Sequence, residues 1–417
     1  MAKSLQFYLD FIEETEKEIK PLFAEIDRVA LQNQWRVLEA FRSLQIDESC
    51  FAASTGYGYN DRGREKLDQL YARVFGAEAG IVRPQFVSGT HAIACALYGS
   101  LRPGGRLLSL TGKPYETLQK VLGLNDRDTG MLAELNITYE EADFTTAINE
   151  TALDNLLAEK ADVVLLQRSR GYSLRRALRT SDIAALVQAV KKRQPEAVIF
   201  VDNCYGEFVE TEEPCHAGAD LIAGSLIKNP GGGIATGGGY IVGREDLVEK
   251  AAWRLTAPGL GSDIGAMSTV KRLYFQGLFV APHQVAQSLK GMVLAAALFS
   301  NAGYAVDPLP FDLRGDTVQA VTLGSADELM LFCRAVQAAS PVESFVMPQP
   351  APMPGYEDEV IMAAGTFIQG ASSELTADAP LRPPYHVFLQ GGLTYEHLKI
   401  ALAEVLFSLR EGGGTPK

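Results

Sequence analysis

Between residues 130 and 223 short apolar runs alternate with longer segments of helical spacing, and that alternation limits the possible folds more than any other feature of the chain. The runs 136–139, 162–166, 197–201 and 219–223 are too short for helices and end in polar turns, so they read as strands. Residues 151–160 and 181–192 read as the helices between them. Strands joined by helices of this length form right-handed crossovers in a mainly parallel sheet. The expectation is an α/β chain of three layers, helices covering both sheet faces. In such sheets the working residues stand just past the carboxyl ends of the strands. Ser88, Tyr115, Arg168, Asp202 and Lys228 all fall at such places.

The flanking segments complete the expected organisation. Residues 4–45 carry apolar residues at helical spacing and predict an N-terminal helical arm, with Pro21 starting its second segment. Residues 61–75 form an amphipathic helix, and 284–301 a long helix that links two lobes. From 304 onward the pattern is that of a smaller α+β unit. It has strands near 318–322, 360–364 and 387–389, and helices at 327–339 and 395–410. At 417 residues the chain is long for one core. The expected division is an arm at 1–50, a large domain at 51–285, and a linker helix with a small C-terminal α+β domain at 286–417.

Composition excludes several classes of function. A formal charge of −13 argues against a nucleic-acid binder, which needs a basic face. No apolar run approaches the ~20 residues that span a bilayer. The N-terminus is acidic and amphipathic, unlike a signal peptide. Five widely spaced cysteines with no CxxC pair fit reduced thiols of a cytoplasmic protein, and the five histidines form no metal-binding spacing, so no metal is expected.

The chemistry-bearing stretch is 219–243, ADLIAGSLIKNPGGGIATGGGYIVG. It places a single cation, Lys228, between two apolar strands and beside a glycine-rich loop. A part-buried ammonium costs several kcal/mol unless it is paired or neutralised. A lysine that forms a Schiff base avoids that cost. A surface turn with a solvated lysine accounts equally for the stretch alone. Other segments decide between the two. At Ser88-Gly89-Thr90 a strand pattern gives way to a helix, whose free N–H groups and positive end make a phosphate cradle or, more plainly, an ordinary N-cap. Tyr115 stands in a loop after a strand, either over a ring or simply packed. Asp202 ends an apolar strand, where an acid needs a positive neighbour, a helix cap or a salt bridge. Arg168 and Arg170 offer guanidiniums for carboxylate or phosphate. The loop with Tyr57, Tyr59 and Arg62 is equipped to hold an anion, or is a surface turn. An imine-forming lysine, an acid for a pyridinium nitrogen, a phosphate cradle, a stacking aromatic and a cation for a carboxylate together call for pyridoxal 5'-phosphate (PLP). A nucleotide site would leave Lys228 and Asp202 idle, and there is no GxxxxGK[ST] loop.

The order of these motifs resembles the fold-type I PLP enzymes, and most closely their cystathionine and methionine gamma-lyase branch. Ser88-Gly89, Tyr115, Asp202-Asn203-Cys204-Tyr205 and Ser225-Leu226-Ile227-Lys228 stand in that branch's sequence order. QRSRGYS, IKNPGGGIATGGGY, MAAGTFIQGASSEL and RPPYHVFLQGGLTYEHLK resemble its methionine gamma-lyase-like members named for aluminium resistance, over residues 50–400. The resemblance implies a carbon–sulfur lyase of amino acids. Lys228 would be the cofactor lysine, Asp202 the ring-nitrogen partner, Tyr115 the stacked acid, and Ser88, Gly89, Thr90, Tyr205 and Ser225 cofactor contacts. It also implies a homodimer or homotetramer with shared sites, in which Tyr59 and Arg62 reach a neighbour's phosphate. One departure stands out. Where the lyases carry a carboxylate-binding arginine, this chain reads His386-Val387-Phe388-Leu389, which leaves Arg382, then Arg170 and Arg168, as candidates. Transamination, or a PLP-holding stress protein with little catalysis, would use the same shared residues.

Overall fold

The computed structural model describes residues 2–57, 60–124, 130–353 and 356–410. The chain begins with one continuous helix of 42 residues, α1 (Ala2–Ser43). Pro21 lies inside it, so the segment break expected there does not occur. An interior proline removes one helical hydrogen bond. Here packing along the whole length offsets that loss: Tyr8, Ile12 and Ile19 are buried in one core, and Val37 and Ala40 in another.

The next elements are α2 (Arg62–Phe75), capped by the Asp61 carboxylate, β1 (Ala79–Arg83), α3 (Gly89–Ser100), β2 (Arg106–Ser109), α4 (Glu116–Leu122) and α5 (Met131–Glu134). They are followed by β3 (Thr138–Glu141), α6 (Glu150–Leu156), β4 (Val163–Gln167), α7 (Thr180–Arg193), β5 (Val198–Asp202), β6 (Leu221–Ser225), β7 (Gly239–Gly243) and α8 (Glu245–Leu255). The strands form a seven-stranded sheet in the order β1-β7-β6-β5-β4-β2-β3. All its pairings are parallel except those of β7, which runs antiparallel to β1 and β6. Side-chain alternation sorts the two faces. Val164, Leu166, Ile199 and Val201 pack with α2, α7 and the following long helix, while Val163, Leu165 and Phe200 pack with α3, α4 and α8. Apolar strands covered on both sides are what a buried parallel sheet requires.

The long helix α9 (Lys271–Asn301) starts thirteen residues earlier than the periodicity suggests. Its first half packs on the large sheet and its second half on the small one. Beyond it lie β8 (Ala305–Asp307), β9 (Val318–Thr322), α10 (Ala326–Ala338), β10 (Val360–Ala363), β11 (Thr376–Pro380), β12 (His386–Gln390) and α11 (Tyr395–Arg410). These strands form an antiparallel sheet in the order β10-β11-β12-β9-β8. Ile361, Ala377, Ala379, Val387 and Leu389 turn one face of it onto α9, α10 and α11. The opposite face, with Val318, Ala320 and Phe388, meets Tyr172 and Tyr205 of the large-sheet region. Among the described residues no helix is long and apolar enough to cross a membrane.

Candidate active site

Lys228 follows β6 by three residues, in the loop that the glycines hold close. A Cβ on Gly231 would lie 1.7 Å from the Leu226 carbonyl oxygen, and the Gly231 carbonyl meets Gly277 of α9, so neither position has room for a side chain. The Lys228 Nζ sits 4.0 Å above the ring centroid of Tyr205, a cation–π arrangement. Burial works against the ammonium, but Cys204, Tyr205, Asp202 and Tyr115 gathered around it more than offset this, and the amine is held well above its ordinary value. The five residues therefore form one group, assembled from the carboxyl ends of β2, β5 and β6.

Asp202 is the last residue of β5 and is 3% exposed. Its Oδ1 accepts from the Cys204 backbone N–H at 3.2 Å. Burial pushes its carboxyl above the ordinary range, against the pull of Lys228. A carboxylate so placed is stabilised by a cationic partner. Beneath it runs a buried network. Asn203 donates to Glu213 at 3.2 Å and to the Tyr240 hydroxyl at 3.3 Å, and Tyr240 donates to Glu207 Oε1 at 2.9 Å. Asn229, next to Lys228, donates to the Glu207 carbonyl at 3.0 Å. Burial raises the Glu207 carboxyl to about 8. The network ties the end of β5 to the lysine loop, which fixes Asp202 and Lys228 relative to each other.

The N-terminus of α3 supplies the third part. Ser88 caps it, accepting from the His91 backbone N–H at 3.1 Å. Gly89 faces β6 so closely that a Cβ there would come within 2.9 Å of the Ser225 Cβ. The Thr90 hydroxyl and the Tyr115 hydroxyl lie 2.9 Å apart, which anchors the Tyr115 ring over the helix start. The Tyr115 backbone N–H also donates to Gln167 Oε1 at 2.9 Å. Burial, then Asp202, pushes the Tyr115 hydroxyl far above its usual value, so it carries its proton.

Not every expected residue joins this group. Arg168 is fully buried and turned away: it pairs with Glu213 and Glu210, both at 3.2 Å, and donates to Asn203 Oδ1 at 2.8 Å. The reason is the two-residue period of a strand. Gln167 lies beside Asp202 on the site face, so the next residue points to the other. Arg170 is bound to Asp307 at 2.9 Å and, more loosely, to Asp316. Arg382 lies half-exposed in the turn after β11, paired with Asp358 at 3.1 Å. Arg62 is exposed at the start of α2 and pairs with Asp47. Tyr59 lies outside the described residues. Two residues that motif reading passed over come closer. Arg175 is a half-buried guanidinium held by the Gln167 and Ser169 carbonyls, and it interacts with Asp202. Burial lowers it to about 10, and among the described residues no carboxylate lies within ion-pair distance. Asp378 of β11 is buried and interacts with both Lys228 and Tyr205. Among the described residues no group of three His, Cys, Asp or Glu side chains could hold a metal ion.

The family model described as methionine gamma-lyase matches residues 8–410. The chain belongs to the methionine gamma-lyase family. Among this family member's relatives is the protein YnbB of Bacillus subtilis, 47% identical over 401 residues and covering 95% of both chains. A solved structure of a carbon-sulfur lyase involved in aluminium resistance, from Clostridium novyi NT, is 44% identical, covers 97% of each chain and superposes with a TM-score of 0.92. YhfS of Escherichia coli, a pyridoxal-5'-phosphate dependent protein, shares 18% identity over 91% of this chain and 96% of its own, with a TM-score of 0.63. That likeness shows the fold, the fold-type I architecture with its mixed seven-stranded sheet and smaller antiparallel sheet. The residues present fit PLP. A helix start with a glycine flush against Ser225 suits a phosphate, buried Asp202 suits a ring nitrogen that carries a proton, and Lys228 suits an aldehyde.

Proposed function

We propose that this methionine gamma-lyase family member is a PLP-dependent carbon–sulfur lyase that eliminates the sulfur side of a sulfur amino acid, of cystathionine or methionine type. The observation that carries the reading is the placement of the Lys228 amine over the Tyr205 ring, within interaction of Asp202 and Tyr115. Lys228 would hold the cofactor covalently, with Ser88, Gly89, Thr90 and Ser225 around the phosphate and Asp202 at the ring nitrogen. PLP supplies an aldehyde for the substrate amine and a ring that takes up electrons when a bond at Cα breaks.

The chain's own residues do the rest. The Lys228 amine would take the proton from Cα and return it further along the substrate. Asp202 keeps the ring nitrogen protonated, and the buried Asn203–Glu213–Arg168 network keeps Asp202 from turning away. Tyr115, neutral and oriented by Thr90, donates its proton to the departing sulfur. For the substrate carboxylate we favour Arg175, whose guanidinium interacts with Asp202 and among the described residues has only carbonyl hydrogen-bond partners, over Arg382. The surface pair of Arg382 with Asp358 is worth little and leaves it free, but it stands at the far end of β11.

Oligomerisation belongs to the same proposal. Tyr57 and Val87 are 90% and 81% exposed, Val87 next to the Ser88 cap of α3, and Ser88 and Arg62 are exposed as well. A second copy covering this edge would bury the apolar surface and bring its own Tyr59 and Arg62 to the phosphate. We place the protein in the cytoplasm as at least a homodimer. The decisive assay is release of ammonia and a 2-oxo acid from sulfur amino acids with no amino acceptor added. Product that forms only with an acceptor would make the protein a transaminase, and no product in either case would remove the lyase reading.

A further inference from the structure

The small sheet turns an acid toward Lys228. Ala377 and Ala379 of β11 face the core against α10 and α11, so Thr376 and Asp378 between and beside them face the large sheet. Asp378 stands directly across from Phe388, the ring that stacks on Tyr172 at 5.3 Å. It is 3% exposed. Gln390 Nε2 donates to its Oδ2 at 2.9 Å, and the Tyr172 hydroxyl leans on the same carboxylate. Oδ1 has no partner among the described residues, nor has the Thr376 hydroxyl on the same face. Asp378 Oδ1 and the Thr376 hydroxyl thus both lie buried without a partner among the described residues on this face, and Asp378 is near enough to Lys228 to interact with it. A buried carboxylate oxygen without a donor is costly, and a cationic donor offsets that cost best.

We propose that Asp378, with Thr376 beside it, is a recognition site for a positively charged far end on the substrate, so that the protein prefers sulfur amino acids carrying a second ammonium beyond the sulfur over those ending in a methyl. This rests on the lyase reading above and narrows its substrate class. The first amino group of the substrate is committed to the cofactor aldehyde, and its carboxylate would be repelled by Asp378. The end beyond the sulfur is the remaining part of the substrate that can reach this face. The acid also titrates in a useful place. Burial raises it to about 6, so it is charged at neutral pH and loses its charge in mild acid.

The test compares two substrates of similar size, S-(2-aminoethyl)-L-cysteine and S-propyl-L-cysteine, on the PLP-loaded protein. The expected kcat/KM at neutral pH is at least about tenfold higher for the cationic one, and that preference falls by roughly ten- to hundredfold in Asp378→Asn, the usual loss with one charge-assisted hydrogen bond. Calorimetric titration with L-lysine and L-norleucine, which have no sulfur to eliminate, reads the same preference without turnover. In the parent protein it should fade as the pH falls through about 6. Equal kcat/KM for both substrates in the parent, or Asp378→Asn lowering both alike, would overturn the proposal and make the acid a partner of Lys228. Absence of product from either substrate, with lysine still bound more tightly than norleucine, would instead sink the lyase reading and leave the ammonium site standing. Should Asp378→Asn not fold, the pH dependence of lysine binding by the parent decides alone: a preference that is flat across pH 5–8 contradicts the inference.

Discussion

Arg168→Met should cost stability rather than substrate affinity. The guanidinium is fully buried and holds Glu213, itself fully buried, together with Glu210 and Asn203. Methionine fills much of the volume but leaves the Glu213 charge with Arg36 at 3.6 Å, the Phe208 backbone N–H and the Asn203 amide. Removing one partner of a buried pair typically costs about 3–5 kcal/mol, and the remaining partners put this case at the lower end. Unfolding entropy of ~2.1 cal/mol/K per residue comes to about 0.9 kcal/mol/K for 417 residues, so melting should fall by roughly 3–6 °C. The assay is thermal unfolding of both proteins at matched protein and cofactor concentration, beside KM for one sulfur amino acid. An unchanged melting temperature with a raised KM would contradict a structural role and return Arg168 to the substrate.

Three further outcomes follow from the same geometry. Asp202→Asn should retain cofactor yet lose about a hundredfold or more in kcat, as when one preorganised charge is removed from a site; a normal kcat would contradict its role. Gly89→Ala should weaken PLP binding by roughly tenfold or more, because its Cβ would come 2.9 Å from the Ser225 Cβ and push the start of α3 away from β6; equilibrium dialysis checks it, and unchanged binding would contradict the cradle. Glu207, usually near 4.5, is raised to about 8 by burial, so between those values the folded chain keeps a proton that the unfolded chain releases, and stability declines as pH rises through this window. Glu207→Gln should abolish that decline, worth on the order of a few kcal/mol, in urea unfolding at pH 5 and pH 9; parallel slopes in both proteins would count against it.

The large-sheet strands and the residues at their carboxyl ends were legible because both follow from local pattern. β4, β5 and β6 are continuous apolar runs, and Asp202, Ser225 and Lys228 interrupt them where a parallel sheet ends. What could not be read was direction. Whether Arg168 faces the site or the opposite layer depends on register with Asp202 and on acids more than forty residues away in sequence. β11, with the sequence TADAP, carries neither β-branched run nor strong alternation after Thr376, and it becomes a strand through pairing with β10 and β12. Asp378 therefore had no local signal. Arg175 was hidden in the same way among five arginines between 168 and 179, and what distinguishes it is burial with no acid at ion-pair distance among the described residues. Pro21 marked a helix start by propensity, and tertiary packing carried α1 through it.

The proposed function stands or falls with Lys228 as the residue that bonds the cofactor. Borohydride reduction of the purified, PLP-loaded protein, followed by proteolysis and mass spectrometry, tests it most directly. The expected result is the reduced pyridoxyl group on the peptide that contains Lys228, and no reducible, coloured species in Lys228→Ala. A pyridoxyl group on any other lysine, or colour that survives in Lys228→Ala, would contradict it.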